Sequence, residues 1–319
     1  MDRFALIAPA LVAVAAWVGT ELTREIHRPE WGDGQAEVLF LGSSRTRDGI
    51  TLRDRDDLAV RKIVFPCLDL HTAIAALEEH RERFPHLRDV VFEVSDFSLL
   101  ADVVVEDPTS VPGLCAALDL DANRLPDHGS SARSRSLWLD TLAGRGLVTN
   151  HPSRRINLDL SSEDDAQTEK TKRREKKRRL ARTRLTNSAD QFAEARIRYA
   201  RGLFRDADYA RAAVTKLLAL VDELDAEDVR VWCLVPPVTT AYREAMPAEW
   251  SEIGQECLAR IRAHDGMQGR VLDLVADADF EDLDFFDVDH LDDPGARKMT
   301  ERVLNAIAVE RASALAAPR

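Results

Sequence analysis

The stretch LFLGSSRTRDGI, Leu39 to Ile50, opens on apolar residues, turns on Gly42-Ser43-Ser44 and becomes charged from Arg45 onward. A run of Val, Leu and Phe too short for a helix reads as a strand buried on both faces, and such strands belong to parallel sheets. Glycine permits a tight turn at the strand's end, and a serine held there can point its hydroxyl into the crevice where α/β sheets bind ligands.

Working outward, similar runs recur at Glu37 to Leu41, Lys62 to Phe65, Asp89 to Val94, Val229 to Val235 and Arg270 to Val275. Between them, Thr72 to Phe84, Asp208 to Leu224 and Glu249 to Ala263 space their apolar residues by three and four, as amphipathic helices do. Alternation of this kind predicts a doubly wound (flavodoxin-like) α/β domain with a five-stranded parallel sheet, spanning about residues 35–319. Residues 98–205 are too long for one crossover and read as a large insertion within that domain.

The chain has 319 residues, 45% of them hydrophobic and 31% charged, which suits a sizeable core. Its formal net charge of -12 excludes a general nucleic-acid binder, which needs a surplus of Lys and Arg facing phosphates. One basic run, KTKRREKKRRLARTR from Lys170 to Arg184, follows an acidic patch from Ser161 to Asp165. Charge runs of this kind read first as solvated or disordered, and otherwise as a surface for an anionic envelope polymer, acidic headgroups or an acidic partner.

The first residues differ in kind. FALIAPALVAVAAWVG, Phe4 to Gly19, carries no charge and reads as an N-terminal membrane helix within residues 1–24. The rival is a cleaved signal peptide with its small-residue site at Ala13-Val14-Ala15, but the apolar run continues through Trp17. Either places the main domain outside the cytoplasm, anchored to the membrane in the favoured reading. Cys67, Cys115, Cys233 and Cys257 match no metal knuckle, and Cys67 and Cys233 lie in apolar segments, so free thiols are expected rather than disulfides.

A serine nucleophile needs a base, usually a histidine oriented by a carboxylate. FFDVDHLDDPGARKMT, Phe285 to Thr300, offers them: Asp287 precedes His290 by three residues, so one turn brings both side chains to one side. Asp289 is an alternative orienting carboxylate. The acidic residues from Asp279 to Asp293 lack the glycine and spacing of a calcium loop, so neither a metal nor another cofactor is expected.

These two motifs, in this order, resemble those of the SGNH or GDSL-like hydrolase superfamily. Its first motif ends the first strand with the nucleophile, and its last is Asp-x-x-His. Gly42-Ser43-Ser44 matches with Ser43 in place of the usual aspartate, and DVDHLDDPG looks like the membrane-anchored members that modify cell-envelope polymers. The resemblance implies that Ser44 attacks, His290 takes its proton, Asp287 orients His290 and the Ser44 N–H holds an oxyanion. Gly42, Ser43 and Leu68 are the implied oxyanion or substrate-binding residues; Arg45 and Arg47, beside the serines, offer cations to an anionic substrate, although such residues on exposed loops are more often solvated.

The family's second motif supplies a glycine N–H and its third an asparagine. Here the second strand leads into Pro66-Cys67-Leu68-Asp69-Leu70-His71, where the Leu68 N–H is the available donor, and the third ends Glu93-Val94-Ser95-Asp96, with no asparagine.

Three functions are therefore open. One is an acylesterase or O-acyltransferase acting on an envelope polysaccharide or lipid-linked polymer. The second is a catalytically weak accessory protein that binds a polymer or a membrane-bound acyltransferase. The third is an anion-binding module that holds a phosphate at the helix N-terminus from Gly42 to Thr46.

Overall fold

The computed structural model describes residues 35–51, 59–65, 67–102, 120 and 163–316. The N-terminal apolar segment and Cys115 lie outside them. Among the described residues, no helix is long and apolar enough to cross a membrane.

Five strands form one sheet: β1 Val38–Gly42, β2 Val60–Val64, β3 Asp89–Glu93, β4 Arg230–Val235 and β5 Val271–Asp273. All pairings are parallel and the spatial order is β2-β1-β3-β4-β5, an α/β architecture consistent with the doubly wound fold expected. The expected strands fall within about two residues of the observed ones. The last is shorter, because only Val271, Leu272 and Asp273 pair with β4.

Alternation along β1 builds two cores. Leu39 and Leu41 point to a layer that includes Ile74 and Leu77 of α2 (Leu70–His80), Val214 and Leu217 of α5 (Ala207–Asp225), and Leu258 and Ile261 of α7 (Ala248–Arg262). Val38 and Phe40 point to the other, which holds Tyr242 of α6 (Thr240–Ala245) and Val303, Leu304 and Ile307 of α8 (Asp293–Ala316).

The chain leaves β1 for β2 on one side and returns to β3 on the other. The carboxyl ends of β1 and β3 therefore flank the point where strand order reverses, the usual place for a site in such sheets. Short helices start there, α1 (Ser44–Gly49) after β1 and α3 (Asp96–Leu100) after β3.

The insertion leaves and re-enters the domain at one place, where Ala101 and Phe204 form an antiparallel bridge. Its described part is α4, Glu163–Arg201, which bends at Ser188, where φ of -159° and ψ of 49° are non-helical. Beyond the bend, Ala193, Ile197 and Ala200 make one buried stripe, and α4 packs on α6. The basic run is thus helical rather than disordered. Arg178 and Arg182 are paired with Asp292, at 3.1 and 2.9 Å, while neighbours such as Arg179 are exposed. Cys233 and Cys257 are free thiols, and burial pushes the Cys257 thiol up to about 11.

Candidate active site

The turn after β1 is built around one buried carboxylate. Glu93, the last residue of β3, accepts from the Ser43 N–H at 2.8 Å, the Ser43 hydroxyl at 2.8 Å, the Thr46 hydroxyl at 2.7 Å and the Ser95 hydroxyl at 2.9 Å. Ser43 also caps α1 by accepting from the Arg45 N–H at 3.1 Å. Gly42 is required by close approach: a Cβ there would lie 2.7 Å from Glu93 Oε2 and 2.8 Å from Glu93 Cβ.

Ser43 is therefore a buried helix cap bound to Glu93. The phosphate reading of this turn fails for the same reason, since the α1 N-terminus already faces a buried anion.

Ser44 is left as the residue of this turn that reaches the surface. Its Oγ lies 2.7 Å from His290 Nε2, across 246 residues of sequence. His290 Nδ1 donates to both Asp287 oxygens, at 2.9 and 3.0 Å. The expected serine, histidine and aspartate are thus assembled as a hydrogen-bonded triad.

Local folding explains the geometry. Asp287 Oδ1 also accepts the Asp289 and His290 N–H groups at 3.0 and 2.8 Å, which curls the loop around its own carboxylate. The Phe285–Leu291 bridge closes that loop, and Thr239, beyond β4, donates through its N–H and hydroxyl to the Val288 carbonyl. Phe286 stacks on the imidazole with centroids 5.5 Å apart, and the Arg178 guanidinium lies 5.0 Å above the Phe286 ring.

Asp289 is not the hydrogen-bonded orienter, yet its Oδ1 lies only 3.2 Å from His290 Nδ1. Its Oδ2 accepts from Arg45 Nη2 at 3.2 Å and from Arg196 Nε at 3.0 Å. Burial alone would push the Asp289 carboxyl up, but the Arg196, His290 and Arg45 cations hold it well below the usual carboxylate range. Burial disfavours the imidazolium, but Asp289 and then Asp287 overcome this and raise His290 to about 9.

Arg45 corrects its expected role. Its side chain is 3% exposed and bridges Asp96, at 2.6 Å, to Asp289 while lying 5.0 Å from the Tyr242 ring centroid. Its guanidinium is thus engaged by Asp96 and Asp289 inside the protein rather than lying on an exposed loop. Arg47, by contrast, is exposed beside Asp48.

Leu68 is corrected as well: it is fully buried, and its N–H donates to the Phe65 carbonyl at 3.1 Å. The preceding residue, Cys67, has φ of 62°, the left-handed conformation that glycine adopts without cost, so the turn has a glycine-like shape without the glycine. At the third motif, Ser95 caps α3, and the Asp96 carboxylate accepts from Arg45 and from Tyr242 at 2.8 Å. Among the described residues, no acceptor pairs with the Ser44 N–H, which leaves it for an oxyanion.

Asp287, Asp289 and His290 bring ligand-type atoms within 4.8 Å of one another. A cation fits this set poorly, because His290 Nδ1–H already lies between the carboxylates and two guanidiniums neutralise Asp289.

Neither Glu93 nor Arg196 was singled out from the sequence, where each is one charged residue among many. An acidic residue ending an otherwise apolar strand was the available signal for Glu93. No protein-family model matches the chain, and no curated protein is significantly similar to it.

Proposed function

We infer that this protein is a serine acylesterase or O-acyltransferase of SGNH-like, flavodoxin-like doubly wound type. It is anchored in the membrane by its N-terminal segment and acts outside the cytoplasm on an envelope polysaccharide or lipid-linked polymer. The observation that carries the chemistry is the Ser44–His290–Asp287 chain of hydrogen bonds at the carboxyl end of β1. The location and the polymer rest on the N-terminal apolar segment and on the resemblance of the two motifs.

In the reaction, Ser44 Oγ bonds to the acyl carbonyl carbon as its proton passes to His290 Nε2. The carbonyl oxygen takes up the negative charge beside the Ser44 N–H. The imidazolium returns its proton to the departing alcohol, leaving an acyl-serine. Water then regenerates the serine and gives hydrolysis, whereas a sugar hydroxyl gives transfer.

A base must be neutral to act, so a His290 raised to about 9 gives a rate that climbs as pH rises through that value. Loss of one oxyanion donor costs roughly 100-fold to 1,000-fold. With the Leu68 N–H committed to the Phe65 carbonyl and no asparagine at the third motif, neither of the family's further donors is supplied in its usual way. That observation favours the weak accessory protein as the competing reading.

The test is labelling with a fluorophosphonate at alkaline pH. Wild type and the remote exposed variant Ser313→Ala are expected to label equally, and Ser44→Ala not at all. Labelling of Ser44→Ala at the wild-type level rejects the nucleophile. No labelling of wild type favours the accessory reading.

A further inference from the structure

We propose that Asp289 is a second carboxylate acting on His290, and that Arg196, carried by the insertion helix α4, holds it there, so that the insertion completes the catalytic unit. This rests on the triad proposed above, but its geometry is separate. Asp289 Oδ1 lies 3.2 Å from Nδ1, off the line of the Nδ1–H bonds to Asp287, and finds no hydrogen-bond partner of its own. The opposite oxygen is fixed by guanidiniums from two separate elements, Arg45 of α1 and Arg196 of α4. The centroid of the Phe97 ring is 5.9 Å from the Arg45 guanidinium and 5.4 Å from that of Arg196.

The charges around the imidazole explain why both arginines are needed. Asp287 and Asp289 come from its own loop and Asp96 from α3, while Arg45 and Arg196 come from α1 and α4. Tyr242 of α6 stays a neutral phenol, its ionisation disfavoured by burial and Asp96. Arg178 of α4, beyond Phe286, is engaged by Asp292 and Asp293. Three carboxylates thus meet two guanidiniums, and the remaining negative charge is balanced when His290 takes a proton. The cluster is therefore built for the imidazolium, the species that forms when Ser44 gives up its proton. Without Arg196 a buried carboxylate beside Nδ1 would lose one of its two cations and turn away.

The experiment follows fluorophosphonate labelling of the full chain across a pH series, beside an NMR titration of the His290 imidazole. Asp289→Asn is expected to lower both midpoints by about one pH unit or more. A carboxylate that only supports the fold would reduce the labelling rate and leave the midpoints in place. Arg196→Ala is expected to cost about tenfold in labelling, Arg196→Lys to restore most of it, and Arg196→Ala to cost nothing further once Asp289 is Asn.

Unchanged midpoints in Asp289→Asn, or an equal loss for Arg196→Ala in both backgrounds, overturn the proposal while the triad stands. If wild type is not labelled, the triad reading falls. The NMR midpoints and their response to Asp289→Asn and Arg196→Ala still decide the role of Asp289.

Discussion

Glu93 and Ser43, fifty residues apart, are joined by three contacts: the Ser43 N–H and hydroxyl both donate to the Glu93 carboxylate, at 2.8 to 2.9 Å. With the Thr46 and Ser95 hydroxyls added, the carboxylate is surrounded by donors at the end of β3. The turn that carries Ser44 is therefore positioned by a neighbouring strand and not by its own sequence alone.

Glu93→Gln puts an amide NH2 among groups that donate. Leaving such groups unsatisfied costs about 1 to 3 kcal/mol each, and the displaced turn is expected to lower Ser44 labelling by at least about tenfold. Urea unfolding and labelling rates check both. Gly42→Ala is expected to act in the same way, since its Cβ would strike Glu93.

Stability should depend on pH through His290. Its folded pKa of about 9 lies above the unfolded value of about 6.5, so the native state binds the proton more tightly. The resulting stabilisation is fully present below about pH 6.5 and lost as pH rises through about 9, on the order of 3 kcal/mol at most. Denaturant midpoints for wild type and His290→Gln should converge over that window. Asp289 runs the other way, its contribution present at neutral pH and lost only in strong acid, since its folded pKa is depressed.

Asp287→Asn removes the carboxylate that aligns Nδ1 and curls the loop. A loss of about 100-fold or more in acylation is expected, as the imidazole loses its tautomer and its orientation. Labelling rates at the plateau of the pH profile measure it.

The basic run is held to the loop that precedes α8 by part-buried to exposed ion pairs, Arg178 and Arg182 with Asp292, and Arg178 with Asp293. Each is worth about 0 to 1 kcal/mol and weakens with salt. Asp292→Asn, or high salt in wild type, is expected to speed tryptic cleavage within residues 170–184 several-fold while the sheet stays folded. Peptide mapping by mass spectrometry reads the result.

The parallel sheet was legible in the sequence because β1, β3 and β4 are near-continuous apolar runs, a pattern imposed by burial on two faces, whereas β2 carries Arg61 and Lys62 and β5 ends on the exposed Asp273. The Asp287–His290 pair was legible because its spacing is local, and Ser44 because the order of the two motifs is shared with a known motif pair. The surroundings of Ser43, Arg45 and Leu68 were not legible, each for the same physical reason. A serine, an arginine or a backbone N–H takes its role from a partner elsewhere in space, here Glu93, Asp96 with Asp289, and the Phe65 carbonyl. Arg196 was invisible because it lies inside a helix rich in similar charges, and only tertiary packing selects the one that reaches Asp289.

The Ala101–Phe204 bridge makes the insertion's two ends neighbours. The cost of closing a loop grows slowly with its length, so this segment is free to lengthen or shorten over evolutionary time without strain on β3 or α5. The exception is the arm that bears Arg196, whose distance from the bridge is fixed by its reach to Asp289, so descendants can remodel the far arm cheaply while the near one stays in register.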